Sequence, residues 1–294
     1  MIDNKAMNNN TGSRWMLGAG LMFGCMGVFV KLGAPYFSSI EMVFYRSFFG
    51  LLLIFAIMRF QRVSMVTQHW RAHLWRGISG TVALALFFYC ITLLPLATAV
   101  TLNYTSPLFL TVLTMLVYKE KFHLPVTISI ILGFCGVVLL LHPTIERDQL
   151  ATGLFGLISG FLAGIAYINV KQLGILGEPA ARTVFYFTLI ASVSSGVWML
   201  FDTIHAITLH RLAILLGMGS TATLAQLAMT HAYRTGNTLV VGSLAYSTIV
   251  FASLFGMLLW NEILPLTSWL GMALIIAGGV LSLWLTPQHT SPKK

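Results

Sequence analysis

Two ionisable residues lie in the otherwise apolar stretch SIEMVFYRSFFG, which covers residues 39–50. Arg46 comes about seven residues into this run, roughly 10 Å along a helix that rises about 1.5 Å per residue. At that depth in a bilayer a guanidinium group costs about 2.5–3.5 kcal/mol, so it should face the protein interior and have a partner. Glu41 lies about 140° round the helix from Arg46 and can instead reach Tyr45 one turn on. The sequence leaves three partners for Arg46 open: a group on another helix, water, or a bound anionic group such as a carboxylate.

Two tyrosines lie at matching depths in later apolar runs, Tyr104 and Tyr246. A tyrosine ring with one polar tip suits a pocket that orients a small molecule, although ordinary packing is the alternative. Asn103 precedes the first tyrosine, and Pro107 removes a backbone hydrogen bond near the Asn103 carbonyl, which predicts a kink. Freed carbonyls at this depth are tolerated only inside protein or beside water. Because the second run has no proline, a broken helix is expected in the first half only.

The segment TATLAQLAMTHAYR carries two further polar side chains, Gln226 and His231. A glutamine near the middle of a span commonly forms hydrogen bonds across helices, and Gln226 is a candidate for the same binding pathway. His231 lies near the end of the span and can titrate near neutral pH, so it is a candidate for proton coupling. Glu41 and Pro107 are the other candidate gating or coupling positions.

One short motif could support enzymatic chemistry. GISG (residues 77–80) matches the G-x-S-G pattern of intramembrane serine proteases, with Ser79 as nucleophile and His231 as its base. Small residues are ordinary at membrane helix contacts, so the pattern is weak. The chain has no HExxH, CxxC or phosphate-binding loop, and its three cysteines are not spaced as a disulfide framework. No catalytic residue, metal site or cofactor is therefore predicted.

The elements that carry these residues are membrane-spanning helices. Hydrophobic residues make up 57% of the 294 residues and charged residues only 9%, well below the roughly 25% of soluble domains. Apolar runs of about 20 residues can cross a bilayer as helices and are too continuous for barrel strands. Ten such runs are predicted: 15–33, 39–58, 76–94, 97–118, 124–141, 152–172, 183–201, 212–233, 239–260 and 267–286.

The net charge of +9 reflects where the basic residues fall along these spans. An even number of spans puts both termini on one side, with thirteen of the 17 Lys and Arg residues, Arg76 among them. Lys31, Arg147 and Arg211 fall on the other side, and Arg46 lies within a span. The positive-inside rule then places both termini in the cytoplasm and the chain in a bacterial inner membrane. The basic balance predicts a lipid bilayer and no nucleic acid as partner, and no surface stands out as a homodimer contact.

The second half of the chain repeats the first. VFYRS (43–47) matches VFYFT (184–188), and from Tyr104 onward the register is a constant 142 residues. The other matched pairs are Lys31 and Lys171, Gly24 and Gly164, Gly77 and Gly217, Tyr104 and Tyr246, Glu120 and Glu262, and Gly136 and Gly278. Five spans per half is an odd number, so the second half must cross the membrane in the opposite orientation. Many secondary transporters have such inverted repeats, with the substrate near the midplane. The substrate pathway is therefore expected between the repeats, and its candidate residues are Tyr45, Arg46, Asn103, Tyr104, Gln226 and Tyr246.

Both lysines of the first matched pair lie near helix ends, where interface anchoring is expected. The matched glutamates, Glu120 and Glu262, are expected to fix loops by hydrogen bonds.

The segments NYTSPLFLTVLTMLVYKEK (103–121) and AYSTIVFASLFGMLLWNEI (245–263) each pair a Tyr-Ser/Thr segment with an acidic residue that closes the helix. Together with FYRS in the second span and HLWRGISG at the third, this ordered set resembles the EamA-type carriers of the drug/metabolite transporter superfamily. The resemblance runs from about Trp15 to Trp284. The second segment departs from the first at Asn261 and Ile249, where the first has Lys119 and Pro107. The resemblance implies a carrier of small metabolites, often amino acids, without an ATP-hydrolysing partner.

The sequence therefore predicts an all-α integral membrane protein with ten transmembrane helices in two inverted five-helix repeats. The expected divisions are a cytoplasmic tail (1–14), a first repeat (15–142), a linker (143–151), a second repeat (152–286) and a cytoplasmic tail (287–294). The expected function is secondary transport of a small metabolite, an amino acid or related solute, by alternating access. A membrane-embedded enzyme and a channel are the alternatives.

Overall fold

The computed structural model describes residues 3–117, 124–144, 150–235, 241 and 244–285, and these contain no β strand. Within these ranges the helices are α1 (Asp3–Gly33), α2 (Ser39–Phe60), α3 (Trp70–Leu93), α4 (Leu96–Asn103), α5 (Ser106–Val117), α6 (Leu124–Thr144), α7 (Leu150–Ile175), α8 (Ala180–Met199), α9 (Leu209–Thr235), α10 (Ser247–Trp260) and α11 (Leu266–Leu285). Six described helices, namely α1, α2, α3, α7, α8 and α9, are long and apolar enough to cross a membrane. The chain is an all-α membrane protein, as predicted.

The third span begins earlier than the sequence analysis placed it. Its predicted start was Arg76, where a charged segment gives way to an apolar run, but α3 already begins at Trp70. No glycine or proline interrupts residues 70–76, so nothing local stops the helix from extending through the polar residues. Arg76 therefore lies inside the helix, about 9 Å from its start at about 1.5 Å per residue.

The predicted span 97–118 is two helices, because the chain leaves the helical path at Tyr104 and Thr105. Pro107 follows in the first turn of α5, where its missing N–H would have no intrahelical partner. The Thr105 hydroxyl donates to the Leu102 carbonyl at 2.6 Å and so satisfies one of the groups at the break. The proline thus accompanies a full break and not only a kink.

The matching span 239–260 is also interrupted, by a turn at Tyr246 immediately before α10. The Ile249 N–H reaches back three residues to the Tyr246 carbonyl at 3.0 Å, which tightens the first turn of the helix. The expectation that only the first half contains a broken helix was therefore wrong. Proline is not needed here, since serine and threonine hydroxyls after the tyrosine favour caps and turns over helix interior.

The helices of the two halves pack against one another in related pairs. Helix α1 packs on α9, α3 on α7, α2 on α8, and α6 on α11. The repeat converts the α1–α9 contact into the α7–α3 contact, and it maps the α2–α8 and α6–α11 pairs onto themselves. The main apolar core runs along these contacts, among α1, α2, α3, α4, α9 and α10. The packing therefore has the approximate two-fold symmetry that inverted repeats require.

The contact between α6 and α11 shows the same symmetry at atomic detail. A Cβ atom added to Gly136 would lie 2.6 Å from the carbonyl oxygen of Gly271, and one added to Gly278 would lie 2.6 Å from that of Ser129. The 142-residue register maps Ser129 onto Gly271, so the two contacts are equivalent. Only glycine permits so close an approach of the two backbones.

Candidate functional site

A small cavity lies where the two halves meet, with walls from α1, α2, α3 and α4 on one side and α7, α8, α9 and α10 on the other. Its volume is about 70 Å³, which is room for a few water molecules. The polar and aromatic side chains that matter for its chemistry are Arg46, Arg76, Asn103, Tyr104, Tyr167, Phe187, Gln226 and Thr248. We call this space the arginine cavity.

Two arginines from neighbouring helices meet at one aromatic ring in this cavity. Arg46 on α2 is 2% exposed and Arg76 on α3 is 4% exposed. Their Cζ atoms lie 5.2 Å and 4.1 Å from the centroid of the Phe187 ring on α8, within the range of a cation–π contact. Space for the second guanidinium exists because Gly80, one turn further along α3, has no side chain: a Cβ there would collide with Nη1 of Arg76.

Neither arginine is paired with a carboxylate in the part of the chain that the structure describes. No described Asp or Glu forms an ion pair with either residue, and none lines the cavity. Atoms Nε and Nη1 of Arg46 and Nε of Arg76 are buried without a hydrogen-bond acceptor from the described residues. Burying a cation in this way is costly unless an acceptor is supplied. The cavity therefore has the chemistry of a site for a carboxylate or another planar oxyanion, which guanidinium groups bind in bidentate fashion.

Asn103 and Tyr104, at the break between α4 and α5, are held by hydrogen bonds to other helices. Asn103 Nδ2 donates to Ser159 Oγ at 2.6 Å, and Ser159 Oγ donates to the Ala83 carbonyl at 2.9 Å. Thr248 Oγ1, at the start of α10, donates to Tyr104 Oη at 2.8 Å. These bonds join three helices around the cavity and connect the broken helix of the first half to that of the second.

The structure brings four of the predicted pathway residues to the arginine cavity: Arg46, Asn103, Tyr104 and Gln226. Two others are buried but do not line it. Tyr45 packs among phenylalanine rings, the nearest being Phe44 with ring centroids 5.3 Å apart. Tyr246, 2% exposed, lies in the turn before α10.

Glu41 lies at the start of α2, away from the cavity lining. Its carboxylate accepts the Ser38 N–H at 2.8 Å while its own N–H donates to Ser38 Oγ, which makes a capping box. The same carboxylate accepts the His205 N–H at 2.8 Å and lies 2.8 Å from Nδ1 of that ring. No hydrogen bond joins Glu41 to Tyr45 among the described residues. Glu41 therefore fastens the loop after α8 to the start of α2.

The two residues of the protease hypothesis have other contacts. Ser79 Oγ donates to the carbonyl of Trp75 on its own helix at 2.7 Å. His231 is exposed, and its ring packs edge-on against Trp15 with centroids 5.0 Å apart. It lines a surface groove and not the arginine cavity.

Sequence reasoning missed four of these cavity side chains: Arg76, Tyr167, Phe187 and Thr248. Arg76 was assigned to the cytoplasmic ends because it stood at the predicted start of a span, and six more helical residues moved it inside. A helix extended to the preceding loop would have revealed the second intramembrane arginine. Tyr167 on α7 lies in an apolar run and gave no signal. It also lines a larger pocket, of about 430 Å³, that reaches Lys171 and Thr230.

A different charged group lies at the end of α1. The Lys31 ammonium forms an ion pair with Glu262, and the Glu262 carboxylate also accepts the Leu96 N–H at 3.0 Å. Lys31 Nζ lies 5.2 Å from the centroid of a Trp260 ring. We call these four residues the Lys31–Glu262 cluster. Lys31 was expected to anchor at the membrane interface, but it has a protein partner; Glu120, the match of Glu262, lies outside the described residues.

Known proteins match the chain along nearly its whole length. The sequence model of the EamA-like transporter family matches residues 10–142 and 151–284, one match for each half. An uncharacterized transporter of Helicobacter pylori is 32% identical over 92% of this chain and 93% of its own length. The pseudopaline exporter CntI of Pseudomonas aeruginosa is 30% identical over 90% of both chains. A crystal structure with 14% sequence identity shares the fold, with a TM-score of 0.71 over 95% of this chain and 98% of that one.

The family match covers both repeats, and the two relatives named above are transporters and not enzymes. The protein is thus a multi-pass membrane transporter of small metabolites, and the chain belongs to the EamA-like transporter family.

Proposed function

We propose that this protein is a secondary transporter that moves a small carboxylate-bearing metabolite, an amino acid or a related solute, by alternating access between its two repeats. The observation that carries the proposal is Arg46, a buried cation without a described carboxylate partner, facing a cavity between the repeats. A structural arginine would be expected to have a protein acceptor, because an unpaired buried charge is destabilising. A substrate carboxylate can supply that acceptor.

The arrangement of the helices supports alternating access. The substrate site of inverted-repeat transporters lies near the midplane at the repeat interface, beside interrupted helices. The arginine cavity lies between the halves and borders both interruptions: Asn103 and Tyr104 line it at the first, and Thr248, two residues after Tyr246, lines it at the second. We infer that the Lys31–Glu262 ion pair, which joins the two halves at the end of α1, keeps that end of the pathway closed, while the larger pocket near Tyr167 extends towards Lys171. Rocking of one repeat against the other would exchange which end is closed.

The membrane orientation is part of the proposal. We infer from the distribution of basic residues that both termini face the cytoplasm of a bacterial cell and that the chain lies in the inner membrane. Moving Arg76 from the cytoplasmic side into α3 leaves the bias strongly in the same direction.

The function can be tested by counterflow in proteoliposomes that contain the purified full-length chain. Counterflow reports exchange whichever direction the transporter works in vivo. The panel would contain labelled amino acids, organic anions and organic cations. Wild type, Arg46→Gln and Arg71→Gln would be compared, because Arg71 is an exposed arginine on α3 and serves as the matched control.

The proposal predicts saturable exchange of an anionic or zwitterionic solute that is lost in Arg46→Gln and retained in Arg71→Gln. If the Arg46→Gln protein is still monodisperse and unfolds cooperatively, its loss of exchange is not caused by misfolding. Exchange of cations alone, or unchanged exchange in Arg46→Gln, would refute the proposed role of the arginine. Unitary currents would indicate a channel instead of a carrier.

A further inference from the structure

We propose that the transported solute carries two anionic groups, one for each arginine of the cavity. This inference rests on the proposed function and narrows it: a single carboxylate would satisfy Arg46 and leave Arg76 unpaired. The class of solute it specifies is a small dicarboxylate, or an amino acid with a second carboxylate.

The charges around the cavity are unbalanced. Arg46 and Arg76 contribute two cations, and no described Asp or Glu lines the space. The other polar side chains of the cavity are neutral hydrogen-bonding groups: Asn103, Tyr104, Tyr167, Gln226 and Thr248. A solute with one carboxylate and one ammonium group would leave the local charge at two positive units. A dicarboxylate would neutralise it, and an amino acid with a second carboxylate would reduce it to one positive unit.

Helix termini do not change this balance. Helix α4 ends at Asn103 and α10 begins at Ser247, next to the cavity residue Thr248. The end of a helix carries a partial negative charge and the start carries a partial positive one, each about half an elementary charge. The end of α4 is offset by the start of α5 at Ser106, directly after the break, and the start of α10 adds a weak positive potential, so no helix end supplies negative charge in excess. The guanidinium groups therefore determine the sign of the charge that the cavity favours.

The position of the two cations suits one small molecule. Both Cζ atoms lie near the same ring, at 5.2 Å and 4.1 Å from the Phe187 centroid, so their separation cannot exceed these two distances together. A short carbon chain with a carboxylate at each end can reach both guanidinium groups, and the rocking of the repeats proposed above would widen the cavity of about 70 Å³ to admit it. The ring of Phe187 offers an apolar surface for the chain between the carboxylates.

The alternative is that the two arginines stabilise the fold and bind no ligand. Structural buried arginines are normally paired or fully hydrogen-bonded. Buried guanidinium nitrogens of both residues lack an acceptor in the described chain, whereas the buried Glu178 and the partly buried Lys31 and Glu262 all have partners there. The contrast favours a ligand over a structural role.

The test compares matched pairs of ligands that differ by one negative charge. The thermal midpoint of the detergent-purified full-length protein would be measured at increasing concentrations of malonate, succinate, glutarate and L-glutamate. Each is compared with its monoamide (malonamate, succinamate, glutaramate and L-glutamine), which has nearly the same size and one carboxylate fewer. Ionic strength is held constant because salt screens surface charges. Methyl phosphate at pH 8 and dimethyl phosphate form a further pair, which distinguishes one doubly charged group from two separate ones.

We expect at least one dicarboxylate to raise the thermal midpoint at a concentration at least about tenfold lower than its monoamide needs for the same rise. A tenfold difference corresponds to about 1.4 kcal/mol, and one buried charge pair is expected to contribute more than that. In Arg76→Gln the two members of that pair should differ by less than about threefold, and in Arg71→Gln the wild-type preference should remain. Arg76→Lys, which keeps the charge, should recover part of the preference. The comparison within wild type requires no variant, so a variant that fails to fold does not remove the test.

Equal effects within every pair, tighter binding of the monoamides, or no stabilisation by any dicarboxylate would overturn the inference. A preference for methyl phosphate over every dicarboxylate would also overturn it, because one group would then serve both arginines. The proposed function would survive these results if counterflow showed an Arg46-dependent monocarboxylate. If neither anions nor zwitterions exchanged at all, the proposed function itself would fail.

Discussion

The Lys31–Glu262 cluster and the arginine cavity are both groups of charges in a largely apolar protein, but they differ in whether the charges have partners of opposite sign. In the cluster a cation and an anion from different helices form an ion pair, and the carboxylate also accepts a backbone N–H at the start of α4. In the cavity two cations face one aromatic ring, with no described carboxylate beside them. Within the described residues the first group has both of its charge partners, and the second lacks a counter-charge.

This difference separates charges that hold the structure together from charges that are available to a ligand. Removing one member of a satisfied pair leaves the other buried and unpaired, so it should lower stability. Removing an unpaired buried cation relieves a desolvation cost, so it should leave stability unchanged or raise it. Stability and transport should therefore respond in opposite ways at the two places.

The largest effect is expected for the double variant Arg46→Gln/Arg76→Gln. Exchange of the anionic solute should fall by more than about 100-fold, because truncating a buried charge partner costs about 2–5 kcal/mol. The thermal midpoint of the empty protein should stay the same or rise. Counterflow and differential scanning fluorimetry on one preparation would measure both quantities. A marked fall in the midpoint would show that the arginines are structural and would erase the contrast.

An intermediate effect is expected at the Lys31–Glu262 cluster. Lys31→Met and Glu262→Gln should each lower the free energy of unfolding, and a double-mutant cycle should give a coupling energy of about 0.5–3 kcal/mol. The side chains are 18% and 11% exposed, so the pair is screened less than a surface pair. Denaturant unfolding in detergent would measure the coupling, with Lys171→Met, the exposed match of Lys31, as comparison. A coupling energy near zero would contradict the structural role of this ion pair.

The smallest effect is expected at Glu178, a charge in the turn between α7 and α8. Burial by itself would raise the pKa of Glu178, but hydrogen bonds from Thr67 and Arg182, with His73 also nearby, outweigh it and lower the pKa below its usual 4.5. The unfolded chain then binds this proton more readily than the folded one. The stabilisation is therefore present above about pH 4.5 and lost as the pH falls through the folded-state pKa.

Glu178→Gln should accordingly destabilise the protein by about 0.5–1.5 kcal/mol at pH 7, because the amide oxygen can still accept one of the hydrogen bonds, and the difference from wild type should narrow in acid. Thermal midpoints measured between about pH 7 and about pH 3, so that the range extends below the unfolded-state pKa, would show this, with the exposed carboxylate variant Asp202→Asn as control. Parallel curves for wild type and Glu178→Gln across that range would contradict the assignment.

The repeated pattern of spans was predictable from sequence because bilayer thickness fixes the length of an apolar run and polar segments separate the runs. The matches of Tyr104 with Tyr246 and of Gly136 with Gly278 also carried the symmetry. Helix ends were harder to place. Hydropathy marks where a chain becomes apolar, but a helix continues through polar residues until a capping or breaking residue stops it, and this is why Arg76 was misplaced.

Part of the site was also predictable from the hydropathy pattern and from the repeat. Arg46 stands out because a charge in the middle of an apolar run is costly, and Tyr104 stands out because the repeat marks it. Tyr167 and Phe187 carry no such signal, since aromatic residues are ordinary in membrane helices. Their role depends on which helices of the two halves face each other, and that is set by packing between helices that lie far apart in the chain.

The most direct measurement is an experimental structure of the full-length protein with the exchanging solute bound. The account predicts that anionic groups of the solute lie within hydrogen-bond distance of the guanidinium groups of both Arg46 and Arg76, with its apolar part against Phe187. A solute bound elsewhere, or an arginine cavity closed by a protein carboxylate, would contradict it.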